Sequence, residues 1–307
     1  MKQWKEKTLI YKLFFTEIWE LGLVKADLFK TKSFFSKKSH VLRQKHFVKN
    51  IKSELSYSFV ADPFGVFHKD HYYIYFEYLN YRNKKGEIRY HKYDKELNLL
   101  KSGTALNRSF HLSYPYLFQE KDKLYMMPEM ASCKSGKQSI FVFNSESDIW
   151  EESLINIPAI VDPCIIKEGD VYFIFGSLKG KKVSYCSNNI LNGYKEIDYI
   201  SNHDHFQSGG KIFKINDSFY RPLQISDKTY GEKILVVKLS LKKSSIEESK
   251  NFTVITADDY EGFHTMSPID DRYVVIDVKR FKFSIFKFII SIQKTINKKI
   301  RKIRSAK

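Results

Sequence analysis

Between Phe59 and Val278 the chain alternates hydrophobic and polar positions in short runs rich in Tyr, Phe, Ile and Val, broken by Asp, Lys, Asn and Gly. A period of two in short, punctuated runs predicts many antiparallel β-strands. The pattern also recurs. VADPFGVFHKDHYYIYFEY (60–78), LSYPYLFQEKDKLYMMPEM (112–130), IVDPCIIKEGDVYFIFGS (160–177), QSGGKIFKINDSFYRPLQ (207–224) and FHTMSPIDDRYVVIDVK (263–279) share one layout. Each has a polar-Pro or Gly lead-in, a hydrophobic strand, a turn of charged or Gly residues, and an aromatic-rich second strand. Pro63, Pro115 and Pro163 are 52 and 48 residues apart, Gly210 follows after 47 and His264 after 54. The stretches between, such as SIFVFNSESDIW (139–150) and KILVVKLSL (233–241), read as outer strands.

Four short strands per unit at this period describe a β-propeller blade, so the sequence predicts an all-β fold, a five-bladed β-propeller over residues 55–278. Paired β-sandwiches are the competing all-β reading, but they give no reason for the D-P or Y-P lead-in to recur. Residues 1–54 read as an N-terminal cap and basic linker, with a turn at Trp19–Gly22.

In a propeller, residues at one phase of the repeat form rings about the axis. The lead-in ring is Asp62, Tyr114, Asp162, Gly209–Gly210 and His264; the ends of the second strands supply Glu77, Glu129, Ser177, Arg221 and Asp277. Carboxylates held close share protons unequally, so one acts as acid while another stays ionised. Asp62, Glu129 and Asp162 are therefore the candidate catalytic residues. Glu77, Tyr114, Arg221, Gln224 and His264 are the candidate substrate-binding residues, Arg221 through a planar fork suited to phosphate or carboxylate and His264 through a hydrogen bond to the leaving group. Tyr57, Tyr114, Tyr116 and Phe263 are the candidate platforms for sugar faces. Turn chemistry is the plainer explanation of Asp before Pro.

Composition changes this picture only at the C-terminus. The chain has 307 residues, 43% hydrophobic and 16% aromatic, enough for a large core, with a net charge of +17. Eleven Lys or Arg and no acid lie between Lys279 and Lys307. There Ile285, Ile289, Ile292, Ile296, Ile300 and Ile303 recur at helical spacing opposite a basic face, which predicts an amphipathic helix over 279–307. Residues 281–304 would then meet an anionic membrane surface; docking of the apolar stripe on the protein body is the alternative. Basic residues gathered in one tail do not suit nucleic acid. The start carries no convincing secretory signal, no apolar run reaches membrane-spanning length, and three cysteines give no scaffold. These features predict a cytoplasmic protein, peripheral on the inner membrane face. Phosphate-loop, dinucleotide and esterase signatures are missing, so no cofactor is expected. Metal binding at His203 and His205 is a minor alternative to a polar loop.

ADPF (61–64), HLSYPYLF with YMMPE (111–118, 125–129), YRPLQ (220–224), TYG (229–231) and FHT (263–265) resemble the five-bladed propeller domain of the plant glucosamine inositolphosphorylceramide transferases and of bacterial sugar-modifying proteins. That resemblance covers about residues 55–278. More distantly, ADPF and VDP resemble the arabinanase and xylosidase-like propeller glycosidases. This implies Asp62 as general base and Asp162 as the residue that tunes and orients the acid. Those enzymes carry the acid Glu at the fourth blade; here HDHFQSGG (203–210) has none, leaving Asp204, His205 or Glu129 to substitute. The expected activity is a glycosyltransferase of cell-surface polysaccharide or lipid-linked glycan synthesis, using a sugar or nucleotide-sugar donor and a glycan acceptor. A hydrolase or phosphorylase with the same carboxylates, or a non-catalytic carbohydrate-binding propeller, are the alternatives.

Overall fold

The computed structural model describes residues 14–30, 38–52, 58–81 and 84–283. The chain is all-β. The N-terminal region supplies β1 (Phe15–Lys25), β2 (Ser39–Leu42) and β3 (Phe47–Ile51). A four-stranded antiparallel meander follows: β4 (Ser58–His68), β5 (His71–Asn80), β6 (Lys85–Tyr93) and β7 (Leu99–Leu106). The next has the same order: β8 (Ser113–Glu120), β9 (Lys123–Glu129), β10 (Lys137–Asn144) and β11 (Ile149–Pro158).

A ten-stranded sheet contains two further runs. The first is β12 (Val161–Glu168), β13 (Val171–Leu178), β14 (Lys181–Ser187) and β15 (Lys195–Ile200). The second comprises β16 (Gln207–Ser208), β17 (Phe213–Ile215), β18 (Ser218–Ile225), β19 (Lys233–Lys242) and β20 (Ser245–Ala257). Parallel pairing of β15 with β20 joins the two runs, and β2 adds in parallel to the far end of β20. The last sheet runs β21 (Met266–Pro268), β22 (Tyr273–Phe283), β1, β3.

The first strands β4, β8 and β12 contact in succession, β12 meets β16, and β21 returns to β4. Backbone pairing of Gly210 with Met266 closes the remaining gap. The chain ends are also tied, since β1 and β22 pair in register from Phe15 with Phe283 to Lys25 with Tyr273. The arrangement is propeller-like: sheets set around a shared centre, their first strands innermost.

Packing explains why so aromatic a sequence suits this layout. Phe64, Tyr72, Tyr75, Tyr93, Tyr114, Tyr116, Phe141, Phe175 and Phe263 are fully buried between sheets. Burying a side chain of that size contributes about 1.5–3 kcal/mol, and broad rings fill the space between twisted sheets. Among the described residues no helix is long and apolar enough to cross a membrane.

Two expectations change. Trp19–Gly22 is not a turn but the middle of an eleven-residue strand, and β1 with β3 belongs to the last sheet rather than to a separate cap. Residues 279–283 continue β22 as strand, held by β1, so they form no helix. The remainder of the expected amphipathic helix, 284–307, lies outside the described residues, as does Tyr57.

Candidate functional site

The recurring lead-in has one backbone origin. In β4, β8 and β12 the register slips between Ala61 and Phe64, Ser113 and Tyr116, and Val161 and Cys164. The residue before each proline sits in the left-handed region: Asp62 at φ 50°, Tyr114 at 45° and Asp162 at 49°. These are β-bulges, which re-aim a side chain and interrupt the ladder where proline lacks an N–H to donate. In the fourth unit Gly210 takes that place at φ 126°, where a Cβ would stand 1.9 Å from the Met266 carbonyl oxygen. Only glycine fits there.

The bulges at Asp62 and Asp162 turn both carboxyls toward the centre, where the strand-end acids Glu77 and Glu129 join them. On one side, the buried Asp277 carboxylate organises the group. Its Oδ1 accepts the backbone N–H groups of His264 (3.1 Å) and Thr265 (2.8 Å), and its Oδ2 accepts that of Asp62 (3.1 Å). Asp277 Oδ2 also pairs with His264 Nδ1 at 2.8 Å, while His264 Nε2 lies 3.3 Å from Asp62 Oδ1. Thr265 Oγ1 donates to the same Asp62 oxygen at 3.0 Å. Burial alone would favour a neutral ring, but Asp277 and then Asp62 outweigh it and push the His264 pKa up to about 10. The ring is thus an imidazolium at neutral pH, covered by Trp19 with ring centroids 4.0 Å apart.

On the other side, the Asp162 N–H donates to Glu129 Oε2 at 3.2 Å, and the two carboxyls share a hydrogen bond. Burial, then the Glu129 and Asp62 charges, hold the Asp162 carboxyl well above the usual range. Burial also raises Glu129, while its hydrogen bonds from Asp162 oppose that rise. Glu77, with His111 Nε2 3.4 Å from its Oε1, is raised by burial and by Asp62 and Glu129. Asp62, Glu129 and Asp162 are half-buried and therefore reach solvent. The arrangement sets Asp62 against a cation, opposite a carboxyl pair whose pKa values are raised, and pushing carboxyl pKa values apart in this way is what acid–base chemistry needs.

The structure brings Asp62, Glu77, Glu129, Asp162 and His264 together, and separates three other candidates from them. Tyr114 is buried; its hydroxyl donates to the Gly210 carbonyl and accepts the Gly210 N–H, both at 3.0 Å, so it is a brace and not a sugar platform. Arg221 is 0% exposed. It donates to Glu248 Oε1 at 2.7 Å, to the Tyr199 hydroxyl and to Ser208 Oγ at 2.6 Å, and it lies against Phe175. Sealed from solvent, it is not open to a ligand phosphate. Gln224 donates to Ser226 Oγ at 3.0 Å and lines a side cavity of about 380 Å³, with Asp204 and His205 also on its wall.

His264 has both ring nitrogens facing carboxylates, so it positions Asp62 and leaves nothing for a leaving group. Tyr116 and Phe263 are buried as well. The ligand atoms of Asp62, His264 and Asp277 lie within 4.8 Å of one another. His264 lies between the two carboxyls, 2.8 Å from Asp277 and 3.3 Å from Asp62, so the three form an ion-paired triad.

Sequence reasoning missed the organising role of Asp277, although it lay in the second ring, and missed Trp19 and Tyr230. Tyr230 is 53% exposed, edge-on to His264 at 5.4 Å. Burial of its hydroxyl end, with Asp62 and Asp162 nearby, raises its pKa. The residue after it, Gly231, has φ 61°, and a Cβ there would meet Trp19 and His264 within 2.7 Å.

Residues 47–284 match the family described as "Glucosamine inositolphosphorylceramide transferase 1, N-terminal". The Arabidopsis thaliana protein named Glucosamine inositolphosphorylceramide transferase 1 is 29% identical over 211 residues, covering 62% of this chain and 26% of its own length. The chain thus spans about a quarter of the length of the curated relatives it matches. Among solved structures, a GH43 β-1,3-galactosidase superposes with a TM-score of 0.53 at 12% identity, over 66% of this chain and 48% of its own. A GH43_1 enzyme from Xanthomonas citri complexed with xylose superposes with a TM-score of 0.52 at 10% identity, over 75% and 88%. At such identities the likeness is one of fold. With its match running from β3 to the end of β22, the chain belongs to the glucosamine inositolphosphorylceramide transferase 1 N-terminal family.

Proposed function

We propose that the chain is a glycan-active enzyme, a glycosyltransferase working at the centre of a five-bladed propeller. The observation that carries this reading is the arrangement of charge: Asp62 faces His264 at 3.3 Å, and Asp162 is hydrogen-bonded to Glu129 with its carboxyl pKa raised by burial and the neighbouring acids. In the transfer, the Asp162 carboxyl gives its proton to the oxygen leaving the anomeric carbon, with Glu129 orienting it. The Asp62 carboxylate takes the proton of the attacking acceptor hydroxyl, so one proton enters and one leaves. His264, fixed by Asp277, keeps Asp62 in place.

Two further observations support transfer chemistry. The curated relatives are named as transferases. The fourth unit contributes no carboxylate to the cluster among the described residues, since Asp204 lines the side cavity. The acid must then come from the second and third units, unlike the pattern expected of propeller glycosidases.

General acid–base assistance contributes about 10²–10⁴-fold. The test is a panel of nucleotide-sugars and glycan acceptors, with product analysis in water and in phosphate. Transfer to an acceptor, lost in Asp62→Asn and Asp162→Asn, is the expected result. Sugar released without acceptor would establish hydrolysis or phosphorolysis instead, and binding without turnover a carbohydrate-binding module.

We also propose peripheral membrane association through residues 284–304, supported by the basic, isoleucine-striped sequence alone. Co-sedimentation with phosphatidylserine vesicles, abolished when residues 284–307 are removed, tests it.

A further inference from the structure

The side cavity beside the carboxylates has features the acid–base chemistry does not use. It lies where the β12–β15 run meets the β16–β20 run and is lined by Val161, Ser177, Lys182, Gln207, Gln224 and Ser226, among others. Its volume, about 380 Å³, falls within the ~300–1,000 Å³ of small-molecule sites. It adjoins the centre directly. Val161 precedes Asp162 in the chain, the Lys182 charge acts on Asp162, and the Gln224 side chain meets the Tyr230 hydroxyl, which in turn feels Asp62 and Asp162.

Ser177, Gln207, Gln224 and Ser226 bring amides and hydroxyls to the wall, the groups that bind sugar hydroxyls. Lys182 adds a cation set into the wall. Its ammonium donates to the Phe206 carbonyl and forms no ion pair with a carboxylate of the described residues. The charges around it do not settle on it. Glu248 is committed to Arg221 at 2.7 Å, Asp162 is hydrogen-bonded to Glu129, and Cys164 is buried. Asp204 and His205 are exposed on the wall. A half-buried cation on a cavity wall, with donor protons to spare, favours an anionic ligand.

We propose that this cavity is a saccharide subsite for a sugar unit that carries an anionic group, a phosphate or a carboxylate, seated on the Lys182 ammonium. The inference rests on the glycan reading above and gives it a substrate class: an acidic sugar beside the bond being made, not a neutral one. Burial and the Arg221 charge lower the Lys182 pKa to about 8. A bound anion stabilises the charged amine, so affinity for the anion should fall as the pH rises past that value.

The test is calorimetric binding of four probes to the full chain near neutral pH: glucose, glucose 1-phosphate, glucuronate and inorganic phosphate. A charged hydrogen bond contributes roughly 1.5–3 kcal/mol, so one or both acidic sugars should bind ~10–100-fold more tightly than glucose. The tighter of the two identifies the anion. Lys182→Met should erase that preference and Lys182→Arg keep it. Should Lys182→Met fail to fold, Gln207→Trp, which fills the cavity from an exposed position, should abolish binding of the acidic sugar. Asp162→Asn should lose turnover yet keep the preference, which separates this inference from the catalytic reading. An equal affinity for glucose and the acidic sugars, an unchanged preference in Lys182→Met, full binding in Gln207→Trp, or inorganic phosphate binding as well as glucose 1-phosphate would overturn it.

Discussion

Two groups of buried charge sit near each other in this molecule and are built on opposite principles. Arg221 and Glu248 form a one-to-one pair, both side chains fully shielded from solvent, with Tyr199, Ser201 and Ser208 hydrogen-bonded around them. The central cluster gathers Asp62, Glu77, Glu129, Asp162 and Asp277 around a single imidazolium, and three of its acids reach solvent. A balanced, sealed pair locks strands together. An unbalanced cluster with raised carboxyl pKa values at an accessible place costs stability, and it is where chemistry is expected.

Substitution should separate the two. In the central cluster, Asp162→Asn and Asp62→Asn should each reduce turnover about 10²–10⁴-fold. The Asp162 variant should show no fall in melting temperature, because it removes a carboxyl whose ionised form burial disfavours. Rate assays paired with calorimetry check this. At Arg221–Glu248 the pattern reverses. Glu248→Gln leaves a buried guanidinium without its counter-charge and should destabilise the fold by about 3–5 kcal/mol, while the folded fraction keeps its activity. Denaturant titration alongside active-site counting reads both.

An effect spread over several pH units follows from His264. Its pKa is raised in the folded state to about 10 from an unfolded value near 6.5. The folded protein therefore holds one more proton than the unfolded chain between those values. The stability from this ion pair is fully present below the unfolded value and is lost as pH rises toward about 10, at up to about 1.4 kcal/mol per pH unit. His264→Gln should flatten that slope. Asp277→Asn should return the ring toward its ordinary titration, read by imidazole NMR shifts, and loosen Asp62. The smallest expected effect is at the surface. Removing the partly exposed Arg108–Glu152 contact should change stability by no more than about 1 kcal/mol.

The D-P and Y-P lead-ins were legible because each bulge leaves a proline where the ladder is interrupted. The acids that converge were legible from their common phase in the repeat. Phase alone does not say where a side chain ends up. Tyr114 occupies the same bulge as Asp62 and Asp162, yet its ring is drawn into the core against Phe64, and its hydroxyl binds a glycine backbone that exists in one unit only. Arg221 shares its phase with Glu77 and Glu129, but its partner Glu248 lies 27 residues away on an outer strand, outside the repeat's inner pair. Trp19 belongs to a strand that completes the last sheet from the other end of the chain, a pairing no local pattern signals.

The most direct measurement is infrared difference spectroscopy of the carboxyl region near neutral pH, comparing the wild type with Asp162→Asn. A protonated-carboxyl C=O band in the wild type that disappears in the variant is the expected result. A wild-type spectrum with every carboxyl ionised at that pH would contradict the division into proton donor and carboxylate on which the proposed transfer depends.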